Sequence, residues 1–198
     1  MNPLRFSALF AAASAVFCGL ALGSAGVAEA RKNVRIDLGY SPGTIVVINN
    51  ERKLYLVTGR GKAIQYPIAV GKASQVWTGR ISISQKKVNP EWLNPDDPEA
   101  EPMPGGPGNP LGERALYLGS TLYRIHGTPK ASSIGSAVSN GCIRMFNADV
   151  KHLYKMVRVG TPVVAVNSRA KVSLIAHAPK PVNMKLYLAE KRKVKARF

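Results

Sequence analysis

Segment 125–145 contains a cysteine and a histidine at a spacing that suits nucleophilic catalysis. It reads IHGTPKASSIGSAVSNGCIRM, and Cys142 follows His126 by sixteen residues. A thiol of ordinary pKa is mostly protonated at neutral pH, so it needs a base or a nearby positive charge to act as a nucleophile. An imidazole supplies either, first as proton acceptor and then as imidazolium. The intervening loop is long enough to fold back, so the pattern predicts a Cys142 nucleophile with His126 as its base.

The residues beside the thiol suit attack on a carbonyl group. Gly141 carries no side chain, which leaves room for a carbonyl to approach Cys142, and the N–H groups of both residues are candidates for an oxyanion hole. In an extended strand Arg144 faces the same side as Cys142, where it can bind a substrate carboxylate. A lone cysteine near glycine is also a common small buried residue, so an inert thiol remains the alternative. His152 and His177 lack metal-ligand spacing with Cys142, so we expect neither a metal nor a cofactor.

The N-terminus has the pattern of an export signal. A single arginine precedes an uncharged run over 6–27, and Ala28-Glu29-Ala30 follows as a small-x-small cleavage pattern. We therefore predict a signal peptide over 1–30 and a periplasmic mature chain beginning at Arg31. Removal of this segment also removes Cys18, which leaves one cysteine in oxidising surroundings. No stable membrane span is expected after cleavage.

The charge of the chain limits the kinds of partner. The 198 residues include 28 Lys+Arg and 11 Asp+Glu, a net charge of +17 that is unchanged by removal of the signal peptide. Such an excess is typical of proteins that bind nucleic acid or anionic surfaces. Export argues against nucleic acid, so we expect anionic envelope polymers as partners. The hydrophobic fraction of 45% argues against a disordered chain.

The patterning predicts a mainly β domain with one short helix. β-branched or alternating runs predict strands over 44–48, 53–58, 63–70, 80–88, 115–118, 121–125 and 162–166. A helix is predicted from Asn147 as N-cap, with apolar residues at helical spacing and Gly160 as its stop. We assign 31–43 to a linker.

Two further segments differ in composition from the predicted strands. Segment 89–113 holds seven of the fourteen prolines and six acidic residues, so it predicts a long loop, either a substrate-side lid or an insertion. Segment 168–198 holds nine Lys/Arg against Glu190 and is predicted as a basic C-terminal tail. The remaining 44–167 is predicted to be the catalytic domain.

The motifs His-Gly-Thr at 126–128 and Ser-x-Gly-Cys-Ile-Arg at 139–144 resemble the L,D-transpeptidase catalytic domain family of bacterial cell-wall enzymes. The resemblance covers about residues 44–167. Its other motifs are the opening hairpin IVV…KLYLV, Gly71-Lys72, Thr78-Gly79, Asn109-Pro110-Leu111-Gly112 and Gly160-Thr161-Pro162-Val163. It implies a domain of two mixed β-sheets with a short helix and a long Pro-rich loop.

The resemblance also implies acyl transfer on peptidoglycan stem peptides. Cys142 would attack the amide after the diamino acid at the third stem position and expel the terminal D-alanine. A side-chain amine of a neighbouring stem would then take the acyl group from the thioester, giving a 3→3 cross-link. By the same analogy His126 activates the thiol, the Gly127 carbonyl orients the imidazole, and the Gly141 and Cys142 N–H groups bind the oxyanion.

One position departs from the family pattern. The family usually has histidine before Gly-Cys, where this chain has Asn140. Asparagine can orient a carbonyl but carries no charge, so we expect the thiol to depend chiefly on His126; Ser139 and Asn140 stay candidates on the substrate side. Transfer of the same thioester to water or a protein amine would make the chain an L,D-carboxypeptidase or a wall–protein attachment enzyme. The alternative of another class is a basic cell-wall-binding module with an inert Cys142.

Overall fold

The computed structural model describes residues 30–94, 97 and 99–172. This part of the chain contains eleven strands and one α-helix, α1 (Asn147–Met156), which confirms the mainly β class. The strands are β1 (Lys32–Arg35), β2 (Ile45–Ile48), β3 (Lys53–Gly59), β4 (Lys62–Pro67), β5 (Val70–Gly71), β6 (Gly79–Val88), β7 (Arg114–Leu118), β8 (Arg124–His126), β9 (Ala137–Ser139), β10 (Ile143–Arg144) and β11 (Pro162–Val166).

Nine strands form one continuous mixed sheet whose two halves share β6. Their order is β1-β4-β3-β2-β11-β6-β7-β8-β10, and β5 and β9 form a separate parallel pair. The first residues of β6 pair with β11 and the later ones with β7, with a register shift between Ile83 and Gln85. A shift of this kind bends a strand and turns one half of the sheet relative to the other. Each half contains one parallel pair, β2–β11 or β8–β10, so both halves are mixed.

The strand β2 is buried on both faces. Ile45 and Val47 belong to one hydrophobic cluster, whereas Val46 and Ile48 belong to a second cluster. Alternate residues of a strand point to opposite faces, so these four side chains fill the core on both sides of the sheet. This double burial explains the uninterrupted apolar run that predicted the strand.

The predicted linker over 31–43 is wrong in part, because this segment contains β1. Asn33 lies opposite Ile64 in an antiparallel pair with β4, and Leu38 is buried in the second cluster. β1 is an edge strand with mostly exposed side chains, so its sequence KNVR lacks the apolar alternation that would have predicted it.

The helix begins and ends differently from its prediction. Phe146, not Asn147, is its N-cap, and α1 ends at Met156, four residues before Gly160. Val157 is extended and only 6% exposed, because it turns back into the core. No helix in the described residues is long and apolar enough to cross a membrane.

The Pro-rich loop over 89–113 is anchored through its C-terminal part. Asn109 is 2% exposed, and its side-chain amide donates hydrogen bonds to the carbonyls of Met103 and Pro104. Its side-chain oxygen accepts a hydrogen bond from the N–H of Leu111. This end of the loop is therefore a packed part of the domain.

The predicted boundary at 167/168 is also too early. Arg169 donates hydrogen bonds to both carboxylate oxygens of Glu51 and to the hydroxyl of Tyr55. Val172 is buried, and its carbonyl accepts a hydrogen bond from the Tyr40 hydroxyl. The first five residues of the predicted tail thus pack on the domain. The rest of the tail, and all but the last residue of the predicted signal peptide, lie outside the described residues.

Candidate active site

The short parallel pair β8–β10 brings the candidate cysteine and histidine to one face of the sheet. Arg144 lies opposite His126, and Ile143 lies opposite Ile125. Both isoleucines are buried in the core, so the residues on either side of them point to the other face. Cys142 precedes Ile143 and is therefore a diagonal neighbour of His126. The usual strand spacing and rise put their Cα atoms about 8 Å apart.

The ring of His126 is buried and neutral at physiological pH. Its Nδ1 lies 2.5 Å from the carbonyl oxygen of Gly127. A carbonyl only accepts hydrogen bonds, so Nδ1 carries the proton and Nε2 holds the free lone pair. Burial lowers the pKa of His126 to about 4, against the opposing effect of the Gly127 and Leu111 carbonyls. Nε2 is therefore able to accept a proton at neutral pH, and the Gly127 carbonyl is the group that contacts Nδ1.

The thiol of Cys142 is also neutral in this structure. Burial raises its pKa, although the backbone N–H and guanidinium of Arg124 and the charge of Arg144 act in the opposite direction. The sulfur donates a long hydrogen bond of 3.7 Å to the carbonyl of Leu122. No hydrogen bond joins Cys142 and His126 among the described residues.

Ser139 supports the backbone around the cysteine. It is 2% exposed, and its hydroxyl donates to the Cys142 carbonyl at 2.5 Å and accepts the Gly141 N–H at 3.1 Å. The Gly141 N–H was predicted as an oxyanion donor but already has an acceptor. The N–H of Cys142 has none among the described residues, so it is the better candidate donor. The buried hydroxyl of Ser139 is thus used within the protein.

Two aromatic residues that the sequence did not indicate pack against Gly141. This glycine has a φ of 106°, and a β-carbon on it would overlap the Tyr123 ring. Trp77 stacks on Tyr123, with ring centroids 5.5 Å apart, and its Nε1 donates a hydrogen bond of 3.1 Å to the Gly141 carbonyl. Trp77 lies 65 residues before Cys142 in the sequence, and no spacing rule connects the two.

Two arginines make this face positive. The Arg124 guanidinium lies 5.0 Å from the centre of the Tyr117 ring, and its buried Nε has no hydrogen-bond partner. In the described part of the chain neither Arg124 nor Arg144 forms an ion pair with a carboxylate. The alternation of β8 could have indicated Arg124, which lies two residues before His126. Asn140 is exposed and forms no hydrogen bond with Cys142.

Asn147 connects three segments behind the histidine. Its side-chain oxygen accepts the N–H of Glu113 at 3.2 Å, and its amide donates to the carbonyl of Thr128 at 3.4 Å. A β-carbon on Gly127 would overlap this side chain, and one on Gly112 would overlap both Asn147 and Gly127. The end of the Pro-rich loop, the end of β8 and the start of α1 are therefore held together. No group of three potential metal ligands occurs among the described residues.

The fold and the site define a class: a mainly β domain with a thiol and an imidazole on one face of a mixed sheet. The chain belongs to the L,D-transpeptidase catalytic domain family, YkuD, whose model matches residues 42–164. The family resemblance of the sequence is thereby confirmed.

Several curated bacterial proteins are similar to this chain. Probable L,D-transpeptidase YbiS of Escherichia coli K12 is 35% identical over 144 residues, which are 65% of this chain and 46% of that protein. Probable L,D-transpeptidase YcfS of the same strain is 30% identical over 164 residues, 75% of this chain and 51% of that protein. The chain thus spans about half the length of these relatives. Bacillus subtilis YqjB is 35% identical over 144 residues, 68% of this chain and 78% of that protein.

Solved structures share the fold at low sequence identity. The Ldtfm–avibactam carbamoyl enzyme superposes with a TM-score of 0.53 at 20% identity, over 65% of this chain and 50% of that one. An L,D-transpeptidase from Mycobacterium tuberculosis gives a TM-score of 0.50 at 17% identity, over 62% of this chain and 57% of that one. These similarities support the mixed-sheet architecture that the family resemblance implied.

Proposed function

We propose that this chain is a peptidoglycan L,D-transpeptidase that works through a thioester on Cys142. The observation that carries the proposal is the placement of Cys142 and a buried, neutral His126 on one face of the β8–β10 pair. Membership of the L,D-transpeptidase family gives the reaction class. The chain would therefore be a cysteine acyltransferase of the cell envelope.

Acylation begins with proton transfer from the Cys142 thiol to Nε2 of His126. The sulfur bonds to the carbonyl carbon of the diamino acid at the third stem position, and the oxygen of this carbonyl becomes an oxyanion near the Cys142 N–H. As the C–N bond breaks, the imidazolium gives its proton to the departing D-alanine amine. The Gly127 carbonyl keeps Nδ1 protonated, so Nε2 performs both transfers.

Transfer to the acceptor reverses these roles. The side-chain amine of a neighbouring stem attacks the thioester carbon and gives a proton to Nε2. The carbon–sulfur bond then breaks, the new amide forms the 3→3 cross-link, and the thiolate recovers its proton from His126. No oxidant, metal or nucleotide is needed for the balance of this reaction.

The charge of the site supports an acidic peptide as substrate. Arg124 and Arg144 both act electrostatically on Cys142 and His126, and neither is paired with a carboxylate among the described residues. Peptidoglycan stems carry free carboxylates, which arginine binds well through two parallel hydrogen bonds. We assign carboxylate binding to Arg144, as the sequence suggested.

Mass spectrometry of muropeptides after incubation with purified protein tests the reaction. Wild type should release D-alanine from tetrapeptide stems and form 3→3 dimers, and Cys142→Ala should do neither while it remains folded. Tripeptide monomers without dimers would indicate an L,D-carboxypeptidase, and attachment of a protein amine would indicate a wall–protein attachment enzyme. No change in either sample would favour a non-catalytic binding module.

Covalent inhibition gives a second test of the nucleophile. A structural relative was solved as a carbamoyl enzyme with avibactam, and another in complex with imipenem. We propose that imipenem acylates Cys142, with opening of its lactam ring. Intact mass should increase by one imipenem unit in wild type and stay unchanged in Cys142→Ala. An adduct that persists in Cys142→Ala would contradict this assignment.

We also propose that the chain is exported to the periplasm after cleavage before Arg31. The segment 1–30 supports this proposal, because an arginine is followed by an uncharged apolar run and then by a small-x-small cleavage pattern. N-terminal sequencing of protein from the cell envelope should begin at Arg31. A start more than a few residues away, or recovery from the cytoplasm only, would contradict it.

A further inference from the structure

The peptide bond between Gly141 and Cys142 is held from its carbonyl side. Trp77 Nε1 donates a hydrogen bond of 3.1 Å to the Gly141 carbonyl oxygen, and this bond is buried. In a trans peptide the C=O and the N–H point in opposite directions within one plane. A donor that fixes the Gly141 carbonyl therefore also fixes the direction of the Cys142 N–H.

Trp77 is itself held in place by packing of its ring and by a hydrogen bond to its backbone. Its side chain is 8% exposed and stacks on Tyr123 with an angle of 12° between the rings. Its backbone carbonyl accepts a hydrogen bond of 3.1 Å from the buried amide of Asn49. The hydrogen bond to Gly141 thus comes from a residue that is packed in the core.

The neighbouring peptide groups are held as well. Ser139 accepts the Gly141 N–H and donates to the Cys142 carbonyl, so the groups on both sides of the Gly141–Cys142 peptide have partners within the protein. The Cys142 N–H has no protein acceptor among the described residues. It is therefore free to bind an oxygen atom of the substrate.

We infer that Trp77 is a positioning residue that aims the Cys142 N–H at the carbonyl oxygen attacked by the thiol. This inference rests on the proposed function, because it requires Cys142 as nucleophile. The N–H would stabilise the negative charge that develops on this oxygen in the tetrahedral intermediate. A single oxyanion donor contributes a factor of about 10² to 10³ to the rate when it is well placed.

Two reactions at the Cys142 sulfur distinguish orientation of the Cys142 N–H from an effect on the reactivity of the thiol itself. Imipenem acylation passes through an oxyanion: the carbon–sulfur bond forms, the lactam C–N bond breaks and the nitrogen takes a proton. Alkylation by iodoacetamide replaces iodide at a saturated carbon and forms no oxyanion. The inference therefore predicts that loss of the Trp77 donor slows the first reaction and spares the second.

Trp77→Phe removes the indole N–H and keeps an aromatic ring on Tyr123. We expect its imipenem acylation rate to fall about 10- to 100-fold, with iodoacetamide alkylation within about twofold of wild type and an unchanged dissociation constant for the first, non-covalent complex. Replacement of Trp77 by benzothienylalanine keeps the shape and lacks the donor, so it should reproduce the effect. Trp92→Phe alters the other tryptophan of the chain, in the Pro-rich loop, and should change neither rate.

The outcomes distinguish a failure of the role inferred for Trp77 from a failure of the proposed function. Imipenem acylation at the wild-type rate in both Trp77 variants would overturn the inference and leave the proposed function intact. An equal fall of both rates in the benzothienylalanine variant would also overturn it, because the thiol itself would then be disturbed. A wild-type protein that is not acylated by imipenem and releases no D-alanine from tetrapeptide stems would refute both proposals.

Discussion

Cys142 and His126 are held neutral by the same cause. Burial penalises the charged form of each group, so it raises the pKa of the thiol and lowers that of the imidazole. A preformed thiolate–imidazolium pair is therefore disfavoured in the free protein. The proton must move as the sulfur attacks, which makes a correctly placed oxyanion donor more important than a charged neighbour at position 140.

The pH dependence of alkylation tests the state of the thiol. Because burial raises the pKa of Cys142, the iodoacetamide rate should still be rising above pH ~8.5, the ordinary thiol value. Arg124→Gln removes a charged guanidinium that lowers this pKa. The midpoint of the curve of alkylation rate against pH should therefore lie at a higher pH in this variant than in wild type. Arg60→Gln, a matched change at an exposed turn, should leave the curve in place. Equal curves for wild type and Arg124→Gln would show that Arg124 does not act on the sulfur.

The acid limit of activity should reflect His126. Its pKa is about 4, so Nε2 stays free well below neutral pH and the acid limb of kcat/KM should lie near pH 4. His126→Ala should lower transpeptidation about 10²- to 10⁴-fold, the usual effect of losing general acid–base help. An acid limb near pH 6.5 in wild type would mean that the ring is solvated during turnover.

The same pKa has a consequence for stability. The unfolded chain titrates this histidine near 6.5, so between pH 6.5 and about 4 the unfolded state binds more protons than the folded state. The unfolding free energy should therefore fall as pH decreases through this window. Denaturant titrations at several pH values measure the unfolding free energy, and His126→Asn should reduce its dependence on pH over this range. The same pH dependence in wild type and variant would contradict the burial of the ring as a neutral group.

The sequence predicted Cys142 and His126 as the candidate reactive pair, because each motif is contiguous and the chemistry needs those residue types. It did not predict Trp77, whose contact with Gly141 joins distant segments. Ser139 was expected on the substrate side, but its hydroxyl is used within the backbone turn. Local spacing indicates which side chains are candidates for the chemistry, whereas tertiary packing decides which groups orient them.

The elements that position the site are mostly short. β8 has three residues and β10 has two, so neither forms a window long enough for periodicity, and their parallel pairing joins residues far apart in the chain. The longer strands β3, β6 and β11 were predicted to within a residue or two, because burial on one or both faces imposes a pattern. The Pro-rich loop, for which lid and insertion were both open, proves to contact the site through Leu111.

Asn109 tests the role of this loop. Asn109→Ala removes two donated hydrogen bonds and the acceptor of the Leu111 N–H, so it should cost about 1–3 kcal/mol of stability. Because the Leu111 carbonyl contacts the His126 ring, kcat should also fall severalfold. Glu101→Gln, an exposed change in the same loop, should alter stability by less than about 0.5 kcal/mol. Thermal unfolding would measure the stability and transpeptidation assays the kcat of each variant. Equal values for Asn109→Ala and Glu101→Gln would contradict anchoring of the loop through Asn109.

At the scale of the whole molecule, the two charge signs are separated. Six acidic residues are concentrated in the loop over 89–113, while basic residues occur along the rest of the chain and in 168–198. Residues 173–198 add seven Lys/Arg and one acidic residue, Glu190. We therefore expect this segment to increase association with anionic envelope polymers, with no part in the chemistry.

Two truncations separate the packed start of the tail from its charge. A chain ending at Val172 keeps the Arg169–Glu51 pair and the buried valine, so its melting temperature and its activity on soluble stems should equal those of the full chain. A chain ending at Ser168 loses both and should melt at a lower temperature, mainly through the lost burial of Val172, since exposed ion pairs contribute at most about 1 kcal/mol. Both truncated chains should bind isolated sacculi more weakly than the full chain at low salt, and the difference should vanish as added salt screens the charges. Equal sacculus binding by all three proteins at low salt would contradict a role for the charge of the tail. Equal melting temperatures of the two truncated chains would contradict packing beyond Ser168.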